Sequence, residues 1–394
     1  MFDKINHAAK VLDGVAHKTQ LVRAFDLSNC NLYLKTENLQ RTGSFKVRGA
    51  YYKISTLTPE EKERGVIACS AGNHAQGVAL AAQKEGISAV ICIPEGAPLS
   101  KIAATRSYGA EVVLCKGVYD DAYRRAVEIQ EESGRTFVHP FNDEAVIAGQ
   151  GTVGLELMAQ LPDVDAVFVP VGGGGLISGV AMAVKTINPN CKVYGVQAEG
   201  APSMFRAYRE HQICELDQVV TIADGIAVKK AGDLTYELCC KYVDDILTVS
   251  DDEISSAILA MMERYKMVAE GAGAVSVAAV MYNKVDVEGK NVVAVVSGGN
   301  IDVNILSRVI TKGLLKSGRM VEFATELPDK PGQLIKMLEI ISKTGANVVS
   351  INHSRSNAEL EVGRCIVDVV LETNDNDHIY RIYEALTGCG YKIV

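Results

Sequence analysis

Residues 166–180 read AVFVPVGGGGLISGV. The run from Ala166 to Pro170 is continuously apolar, which is typical of a strand in a parallel sheet that is covered on both faces. Four glycines then lead into an apolar helical pattern that begins with Leu176. Because glycine carries no Cβ, such a turn leaves its backbone N–H groups accessible. The stretch therefore predicts a strand, a backbone-lined turn and a helix, which is the repeating unit of an α/β fold.

Similar apolar runs recur between residues 65 and 300, separated by helical patterns. The further predicted strands are Val66–Cys69, Ala89–Ile93, Glu111–Cys115, Lys192–Gln197 and Val292–Val296. This alternation is typical of crossover connections in a mostly parallel sheet. Loops rich in glycine or polar residues, at 70–73, 172–175 and 297–300, follow three of the strands. Because ligands of α/β proteins bind outside the carboxyl ends of strands, we expect these loops to surround one polar site.

The alternation of predicted strands and helices changes after Lys316, Ser317 and Gly318, which interrupt the helical pattern before them. The predicted elements of the tail are a strand (Met320–Glu326), a helix (Gly332–Lys343), two strands (Asn347–His353 and Glu361–Leu371), a helix (Asp377–Thr387) and a short final strand. This βαββαβ order is that of the ferredoxin-like split motif. We therefore predict two regions, residues 1–318 and residues 319–394.

The composition is that of a globular protein without a nucleic-acid partner. Of the 394 residues, 48% are hydrophobic and 22% are charged, and the formal net charge is −8. Lys and Arg are dispersed, so the sequence indicates no basic surface for a phosphate backbone. Residues 1–13 form an amphipathic helical pattern unlike a secretion signal, and no apolar stretch approaches the length of a membrane span. A cytoplasmic location without membrane partners is expected.

The ten cysteines predict reduced thiols. Most of them lie in apolar runs, where cysteine packs as a small hydrophobic residue. The adjacent Cys239 and Cys240 have no CxxC or histidine partner at zinc-finger spacing, so no structural metal is expected.

Residues 42–50 read TGSFKVRGA and place Lys46 after a Gly-Ser turn. Small and apolar neighbours favour partial burial of this amine, which lowers its pKa and allows it to attack an aldehyde. A lysine taken singly is usually a solvated surface residue. The surrounding motif favours the functional interpretation here.

This segment resembles the Schiff-base signature of the fold-type II pyridoxal-phosphate enzymes, specifically the threonine and serine dehydratases. The similarity runs from Asn6 to Lys316, and the tail resembles the ACT regulatory domain. The resemblance implies a two-lobed, parallel-sheet catalytic region like the tryptophan synthase β chain, with a smaller lobe at roughly residues 45–150. It also implies that Lys46 is catalytic and binds pyridoxal 5′-phosphate covalently.

The resemblance assigns further residues to the cofactor. They are Phe45 beside the ring, Asn73 on the ring hydroxyl, Ser297 on the pyridine nitrogen, and Gly172, Gly173, Gly174, Gly175 and Leu176 around the phosphate. The glycine run is not a dinucleotide fingerprint, since no acidic residue follows at the required distance. A neutral hydroxyl on the pyridine nitrogen favours loss of a β-group over transamination. Glu270 lies in a family segment near the active site. A flexible hinge and a helix cap are the ordinary alternatives for the glycines and Ser297.

The loop formed by Ser70, Ala71, Gly72, Asn73 and His74 opens a predicted helix over residues 75–84. Amides at a helix N-terminus attract an anion, and the resemblance implies that this loop binds the substrate carboxylate. A plain N-cap is the ordinary alternative. His74 is expected to pack or cap rather than to act as a base.

The activity implied by the resemblance is loss of water and then ammonia from threonine, which gives 2-oxobutanoate. Serine would give pyruvate by the same route. Lys46 would remove the Cα proton in either case. A racemase of the same fold needs a second acid or base where this chain has Ala71. A sulfhydrylase of the same fold and a non-catalytic effector-binding protein are the further alternatives.

Residues 327–334, LPDKPGQL, resemble the turn that begins the first helix of ACT domains. An amino-acid effector, isoleucine or valine, is expected there, and the family implies self-association as a dimer or tetramer. An ordinary strand-to-helix turn would contain the same Pro and Gly. Gln197 stands where relatives with a cation site commonly have glutamate, so the residues leave a cation requirement open.

Overall fold

The computed structural model describes residues 1–355 and 361–393. The chain folds as two compact units, residues 1–302 and residues 303–394.

Most of the first unit is regular secondary structure. Its strands are β1 (Leu21–Ala24), β2 (Asn31–Lys35), β3 (Val66–Cys69), β4 (Ala89–Pro94), β5 (Glu111–Cys115), β6 (Thr136–Phe137), β7 (Ala166–Pro170), β8 (Lys192–Ala198), β9 (Asp245–Val249) and β10 (Asn291–Val295). Its α-helices are α1 (Phe2–Val11), α2 (Lys46–Ser55), α3 (Pro59–Arg64), α4 (Asn73–Glu85), α5 (Leu99–Ser107), α6 (Tyr119–Ser133), α7 (Glu144–Gln160), α8 (Gly175–Ile187), α9 (Ser203–Glu210), α10 (Asp233–Tyr242), α11 (Asp251–Tyr265) and α12 (Gly271–Met281). Each strand that the sequence predicts between residues 65 and 300 is present, and its bounds agree with the prediction to within one residue.

Two sheets organise this unit, which the structure describes throughout. The larger sheet has the order β1-β2-β10-β7-β8-β9, and all of its pairs are parallel except β1 with β2. The smaller sheet has the order β5-β4-β3-β6 and is parallel throughout. The chain starts in the larger sheet, builds the smaller one between residues 66 and 137, and returns. This confirms the predicted two-lobed α/β fold.

The second unit contains α13 (Val303–Lys316), β11 (Met320–Pro328), α14 (Gln333–Thr344), β12 (Asn347–Ser354), β13 (Arg364–Glu372) and α15 (Asn376–Gly388). Its strands pair antiparallel in the order β11-β13-β12. Alternate residues of β13 are buried in one core with side chains of α14 and α15, as the period of a half-covered sheet requires. The element order matches the predicted ferredoxin-like motif up to its last strand.

Two details of this unit differ from the sequence prediction. In place of a final strand, the described residues contain a single bridge between Thr325 and Ile393, which follows the turn at Gly390. Helix α13 contacts β11 and groups with the second unit. The structural division therefore falls at residue 303, whereas the pattern change in the sequence falls at residue 318.

None of the helices among the described residues combines the length and the apolarity needed to cross a bilayer.

Candidate active site

Lys46 is the first residue of α2, and its amine points to the loop that follows β6. Nζ donates a hydrogen bond to Pro140 O at 2.9 Å. The same nitrogen lies 5.3 Å from the centroid of the Phe45 ring. A backbone carbonyl and an aromatic ring therefore fix the position of the amine from different sides.

The backbone before Lys46 is joined to the segment that follows β10. Phe45 donates its N–H to Ser297 O at 3.2 Å, and Gly299 donates its N–H to Gly43 O at 2.9 Å. Segments about 250 residues apart in sequence thus hold each other in place. As a result, Lys46 and Ser297 both lie beyond the carboxyl end of β10, an inner strand of the larger sheet.

Burial lowers the pKa of Lys46 to about 8, and the nearby charge of Glu270 acts in the opposite direction. An ordinary lysine has a pKa near 10.4 and is almost entirely protonated at neutral pH. With a pKa of about 8, roughly a tenth of the Lys46 amine is neutral at pH 7. The structure therefore supplies a nucleophilic amine that is partly neutral at pH 7 because its pKa is lowered, and that does not need an adjacent base to deprotonate it.

The glycine loop Gly172–Gly175 connects β7 to α8. Gly174 has φ +96°, and a Cβ placed there would lie 2.6 Å from Met204 Cε. Thr235 Oγ1 donates a hydrogen bond to Gly173 O at 2.6 Å and so stabilises the turn. Among the described residues, no acceptor is found for the N–H groups of residues 172–174. These free donors and the N-terminus of α8 together favour an anion.

Phe141 connects the glycine loop to the lysine. A Cβ built on Gly175 would lie 2.9 Å from Phe141 Cα, and one on Gly173 would collide with the Phe141 ring. Phe141 follows Pro140, the acceptor of the Lys46 amine. The structure therefore brings the predicted phosphate loop and the predicted Schiff-base lysine to the same loop, residues 138–143.

Asn73 and Glu270 form a second polar group at the site. Asn73 Nδ2 donates to Glu270 Oε1 at 2.6 Å, and Asn73 Oδ1 accepts from Asn300 Nδ2 at 2.8 Å. The pKa of Glu270 is raised to about 7, chiefly by burial and, in the same direction, by the charge of Asp224. Hydrogen bonds on both ends hold the Asn73 amide in one orientation. Glu270, a softer expectation from the sequence, is therefore in direct contact with a predicted cofactor residue.

Ser297 is buried just beyond the end of β10. Its hydroxyl donates to Ala272 O at 3.2 Å. A neutral pyridine nitrogen only accepts hydrogen bonds, so the Ser297 hydroxyl would rotate its single hydrogen from Ala272 O towards that nitrogen. A neutral donor is thus available at the position predicted for the ring nitrogen.

The predicted substrate loop precedes and begins α4. Gly72 donates its N–H to Ser70 Oγ at 3.1 Å, which closes a tight turn. A Cβ built on Gly72 would meet nothing within 4 Å, so space is open beside the loop. Ala71 lies in the same turn and has no polar side chain. The loop offers the remaining amides at the start of α4 and a small open volume, which suits a carboxylate.

The two histidines near the lysine are both neutral. The pKa of His74 is lowered to about 3, chiefly by burial and, in the same direction, by the charge of Lys46. Burial, again with Lys46, lowers the pKa of His139 to about 4. His74 is within hydrogen-bonding distance of Val138 O, and His139 Nδ1 accepts the N–H of Asn142 at 2.8 Å. These contacts are structural, which agrees with the interpretation of His74 as a packing residue.

Gln197 uses its side-chain amide within the protein. Its Nε2 donates to Val171 O at 3.1 Å, and its Oε1 accepts the N–H of Phe205 at 2.8 Å. The amide thus connects the residue before the glycine loop to α9. A neutral side chain that is already bonded in this way supplies no anionic ligand at this position.

A buried ionic network anchors the first turn of α2. Arg48 pairs with Glu37 at 2.8 Å and with Glu156 at 2.6 Å, and Lys35 pairs with Glu156 at 2.6 Å. Arg48, Lys35 and Glu37 are all at most 1% exposed. Because Arg48 is two residues from Lys46, the network holds the start of the helix that carries the amine.

Four contributors to the site were not predicted from the sequence. Pro140 acts through its backbone carbonyl, and every residue has one, so no side-chain pattern could identify it. Phe141 and His139 are far from the recognised motifs in sequence. Asn300 lies in one of the three predicted polar loops, and its Nδ2 also donates to Thr42 O at 2.7 Å. Of these residues, Asn300 alone could have been suspected from the sequence, because it lies in a polar loop that follows a buried strand.

The groups present fit pyridoxal phosphate by their chemistry. The site offers an amine of lowered pKa, free N–H groups at a helix N-terminus, a buried hydroxyl and an oriented amide. An aldehyde, a phosphate, a ring nitrogen and a ring hydroxyl are the matching groups of this cofactor.

Comparison with known proteins agrees with this fit. An L-threonine ammonia-lyase of Thermotoga maritima is 54% identical over 394 residues, which cover 99% of this chain and 98% of the relative. The processed form of threonine deaminase isoform 2 from Solanum lycopersicum has a TM-score of 0.74 and 41% identity, over 78% of this chain and 88% of that one. Maize serine racemase has a TM-score of 0.75 and 36% identity, over 80% and 98% of the two chains.

Residues 12–298 match the family described as pyridoxal-phosphate dependent enzyme. That range includes the glycine loop, Lys46, Asn73, Glu270 and Ser297. The chain therefore belongs to the family of pyridoxal-phosphate-dependent enzymes.

Proposed function

We propose that the chain is an L-threonine ammonia-lyase, which converts L-threonine to 2-oxobutanoate and ammonium. L-Serine, which gives pyruvate, is the expected second substrate. The observation that carries the proposal is the Lys46 amine, whose pKa is lowered to about 8 and which contacts the loop beside the glycine turn. The names of the Thermotoga maritima and Solanum lycopersicum relatives support threonine as the substrate.

The site residues divide into those for the cofactor and those for the substrate. We assign Gly172–Gly175 and Leu176 to the phosphate, Asn73 to the ring hydroxyl, Ser297 to the ring nitrogen, and Phe45 to the ring edge. Residues 70–74 are assigned to the substrate carboxylate. Free amides at the glycine loop and open space beside Gly72 support these assignments.

The mechanism follows from the positions of these groups. Bound pyridoxal phosphate withdraws electrons from the bonds at the substrate Cα. Lys46 Nζ, held by Pro140 O and partly neutral at pH 7, removes the Cα proton. Ser297 is a neutral partner for the ring, so the withdrawal stays moderate and loss of the β-hydroxyl is favoured. The β-hydroxyl leaves Cβ as water and takes up one proton, which balances the proton that Lys46 takes from Cα, and a second water hydrolyses the released product to the keto acid and ammonium.

Replacement of the lysine tests the proposal. We expect Lys46→Ala to lose keto-acid formation from threonine and serine, whereas exposed Lys10→Ala in α1 should retain it. Borohydride reduction of the wild type followed by peptide mass spectrometry should place the cofactor on Lys46. An adduct on another residue, or full keto-acid yield from Lys46→Ala, would refute the proposal.

Serine racemase is the second candidate, because a serine racemase is among the similar structures. Racemisation needs a group that returns a proton to the opposite face of Cα. Ala71 stands where the resemblance places a serine in racemases, and a methyl group cannot exchange protons. Chiral chromatography of the products from L-serine separates the two functions: D-serine at a rate comparable to that of pyruvate would favour the racemase.

We further propose that the second unit is an ACT domain that binds an amino-acid effector at residues 327–334. The ferredoxin-like order of its elements supports this assignment. Keto-acid formation from threonine should respond to isoleucine or valine, each titrated at a substrate concentration near the KM. A response that persists unchanged in a chain ending at residue 302 would place the effector elsewhere.

Self-association and a cytoplasmic location complete the proposal. Strand β12 is an edge of its sheet, and its Val348 and Val349 are exposed, which supports pairing of second units. The cysteines within the described residues are all unpaired, as in a reducing compartment. Analytical ultracentrifugation of the holoenzyme should show a dimer or a tetramer.

A further inference from the structure

Asp329, His353 and Cys365 form a cluster in the second unit, outside the site described above. Their ligand atoms, one from each side chain, all lie within 4.8 Å of one another. Asp329 and His353 are exposed, and Cys365 is 2% exposed. The cluster thus combines one buried thiol with two exposed side chains.

Strand pairing explains why these residues meet. Leu327 of β11 is opposite Cys365 of β13, which places Asp329 just beyond the end of that ladder. His353 of β12 is opposite Val367, so it faces the same side of the sheet as Cys365. Asp329 also donates its N–H to Gly363 O at 2.8 Å, which fixes the turn. Three separate segments therefore converge through backbone hydrogen bonds that do not depend on any ligand.

The ligand types favour zinc among the common metals. Thiolate, imidazole and carboxylate are the zinc ligands of proteins, whereas Mg²⁺ and Ca²⁺ prefer oxygen alone. Zinc bonds of about 2.0 to 2.3 Å in a tetrahedron separate neighbouring ligand atoms by about 3.3 to 3.8 Å. Inward movement of about 1 Å by the two exposed side chains would produce that geometry. We propose that Asp329, His353 and Cys365 bind Zn²⁺, with a water molecule as the fourth ligand.

Arg355 supports this site. Its Nε and Nη2 donate to the two oxygens of Asp329 at 2.7 and 3.0 Å. A carboxylate has about four lone-pair positions, so a metal and a guanidinium can share it. Ligating carboxylates are commonly oriented by hydrogen bonds of this kind. Asp329 lies in the turn of residues 327–334, which is proposed to bind the effector. A metal bound to Asp329, His353 and Cys365 would therefore connect this turn to β12 and β13.

Cobalt provides the direct test on the full-length holoenzyme. Co²⁺ in a tetrahedral site with a thiolate gives intense d–d bands in the red part of the spectrum, away from the absorption of the cofactor. Titration of the wild type should produce these bands up to one equivalent per chain, and Zn²⁺ should abolish them. Without such bands, or with only the weak bands of octahedral Co²⁺, the proposal is wrong.

Variants locate the site. His353→Ala and Cys365→Ser should each weaken binding by roughly tenfold or more, whereas Cys389→Ser, an exposed cysteine of the same unit, should bind as the wild type. Because His353 is exposed, its replacement should leave the circular dichroism spectrum unchanged even if Cys365→Ser folds poorly. Equal binding by the wild type and His353→Ala, or loss of binding in Cys389→Ser, would overturn the assignment.

Discussion

Glu270 shows how one residue affects both the stability of the protein and the chemistry of the site. Its carboxyl is buried, accepts a hydrogen bond from Asn73, and lies near Lys46. The negative charge raises the pKa of Lys46, while burial lowers it. Glu270 therefore adjusts the fraction of neutral amine that is available to attack the cofactor.

Stability should depend on pH through this carboxyl. Burial raises the pKa of Glu270 to about 7 in the folded protein, so the folded state binds a proton more tightly than the unfolded state. Its contribution is therefore fully present below about pH 4.5 and is lost as the pH rises towards 7, by an amount on the order of 3 kcal/mol.

Glu270→Gln, which cannot titrate, should lack this part of the pH dependence. Urea unfolding of the cofactor-free protein at a series of pH values measures the effect. The exposed Glu131→Gln serves as the control and should follow the wild type. An identical pH dependence for Glu270→Gln and the wild type would contradict the assigned pKa.

The sequence singled out individual side chains where a motif surrounds them. Glycine-rich or polar segments flank Lys46, Asn73 and Ser297, and hydrogen bonds join these segments: Phe45 N–H donates to Ser297 O, and Asn73 accepts from Asn300. Pro140 was not predictable, because a carbonyl acceptor depends only on where the backbone lies. The cluster of Asp329, His353 and Cys365 was not predicted either. These residues meet through the register of strand pairing, and no spacing in the sequence indicates that they are neighbours.

At the scale of elements, a continuous apolar run decided which strands could be predicted. The residues of β3 and β7 are all buried, so each strand forms an unbroken apolar run. By contrast, β1 and β9 mix buried with partly exposed residues, and β6 has two residues. These three edge strands contain no long apolar run and were missed, whereas the edge strand β5 is also half-covered but carries the apolar run of residues 112–115 and was predicted.

The glycine loop between β7 and α8 should not tolerate a side chain at Gly174. Its φ of +96° is unfavourable for alanine, and the new Cβ would lie 2.6 Å from Met204 Cε. We expect Gly174→Ala to release pyridoxal phosphate more readily during dialysis. Gly86→Ala is the matched control, since Gly86 has φ +68° but meets nothing within 4 Å.

Both variants should lose about 1 to 2 kcal/mol of stability from the left-handed backbone. Only Gly174→Ala should also lose cofactor, as measured by the visible absorbance of the dialysed protein. Equal cofactor retention by the two variants would show that the loop geometry does not hold the phosphate.

The ionic anchor of α2 leads to a prediction about stability. Arg48→Met leaves the buried Glu37 without its cationic partner and Glu156 with Lys35 alone, which should cost about 3 to 5 kcal/mol in the free energy of unfolding. Arg125→Met removes an exposed pair with Glu128 and should cost at most about 1 kcal/mol. Urea denaturation of both variants tests the difference, and similar losses would mean that the buried network contributes little.

At the scale of the whole molecule, the chain consists of two units with separate cores, and the cofactor site lies in the first. Removal of the cofactor should therefore affect the units differently. Hydrogen exchange measured by mass spectrometry should become faster in residues 43–50 and 166–180, because ligand binding stabilises the segments that it contacts. Residues 364–372 should exchange at the same rate with and without cofactor. A uniform change across both units would contradict this view.

The hydrogen bonds between the Gly43–Phe45 backbone and the Ser297–Gly299 segment also have a consequence during protein synthesis. A ribosome adds about 5 to 20 residues per second, so the partners of the lysine loop emerge roughly 12 to 50 seconds after the loop itself. Until then the nascent chain carries the amine without its support. The Lys46 amine can therefore bind the cofactor aldehyde in its final geometry only after residue 299 has been translated. Formation of the holoenzyme is thus expected late in the synthesis and folding of each chain.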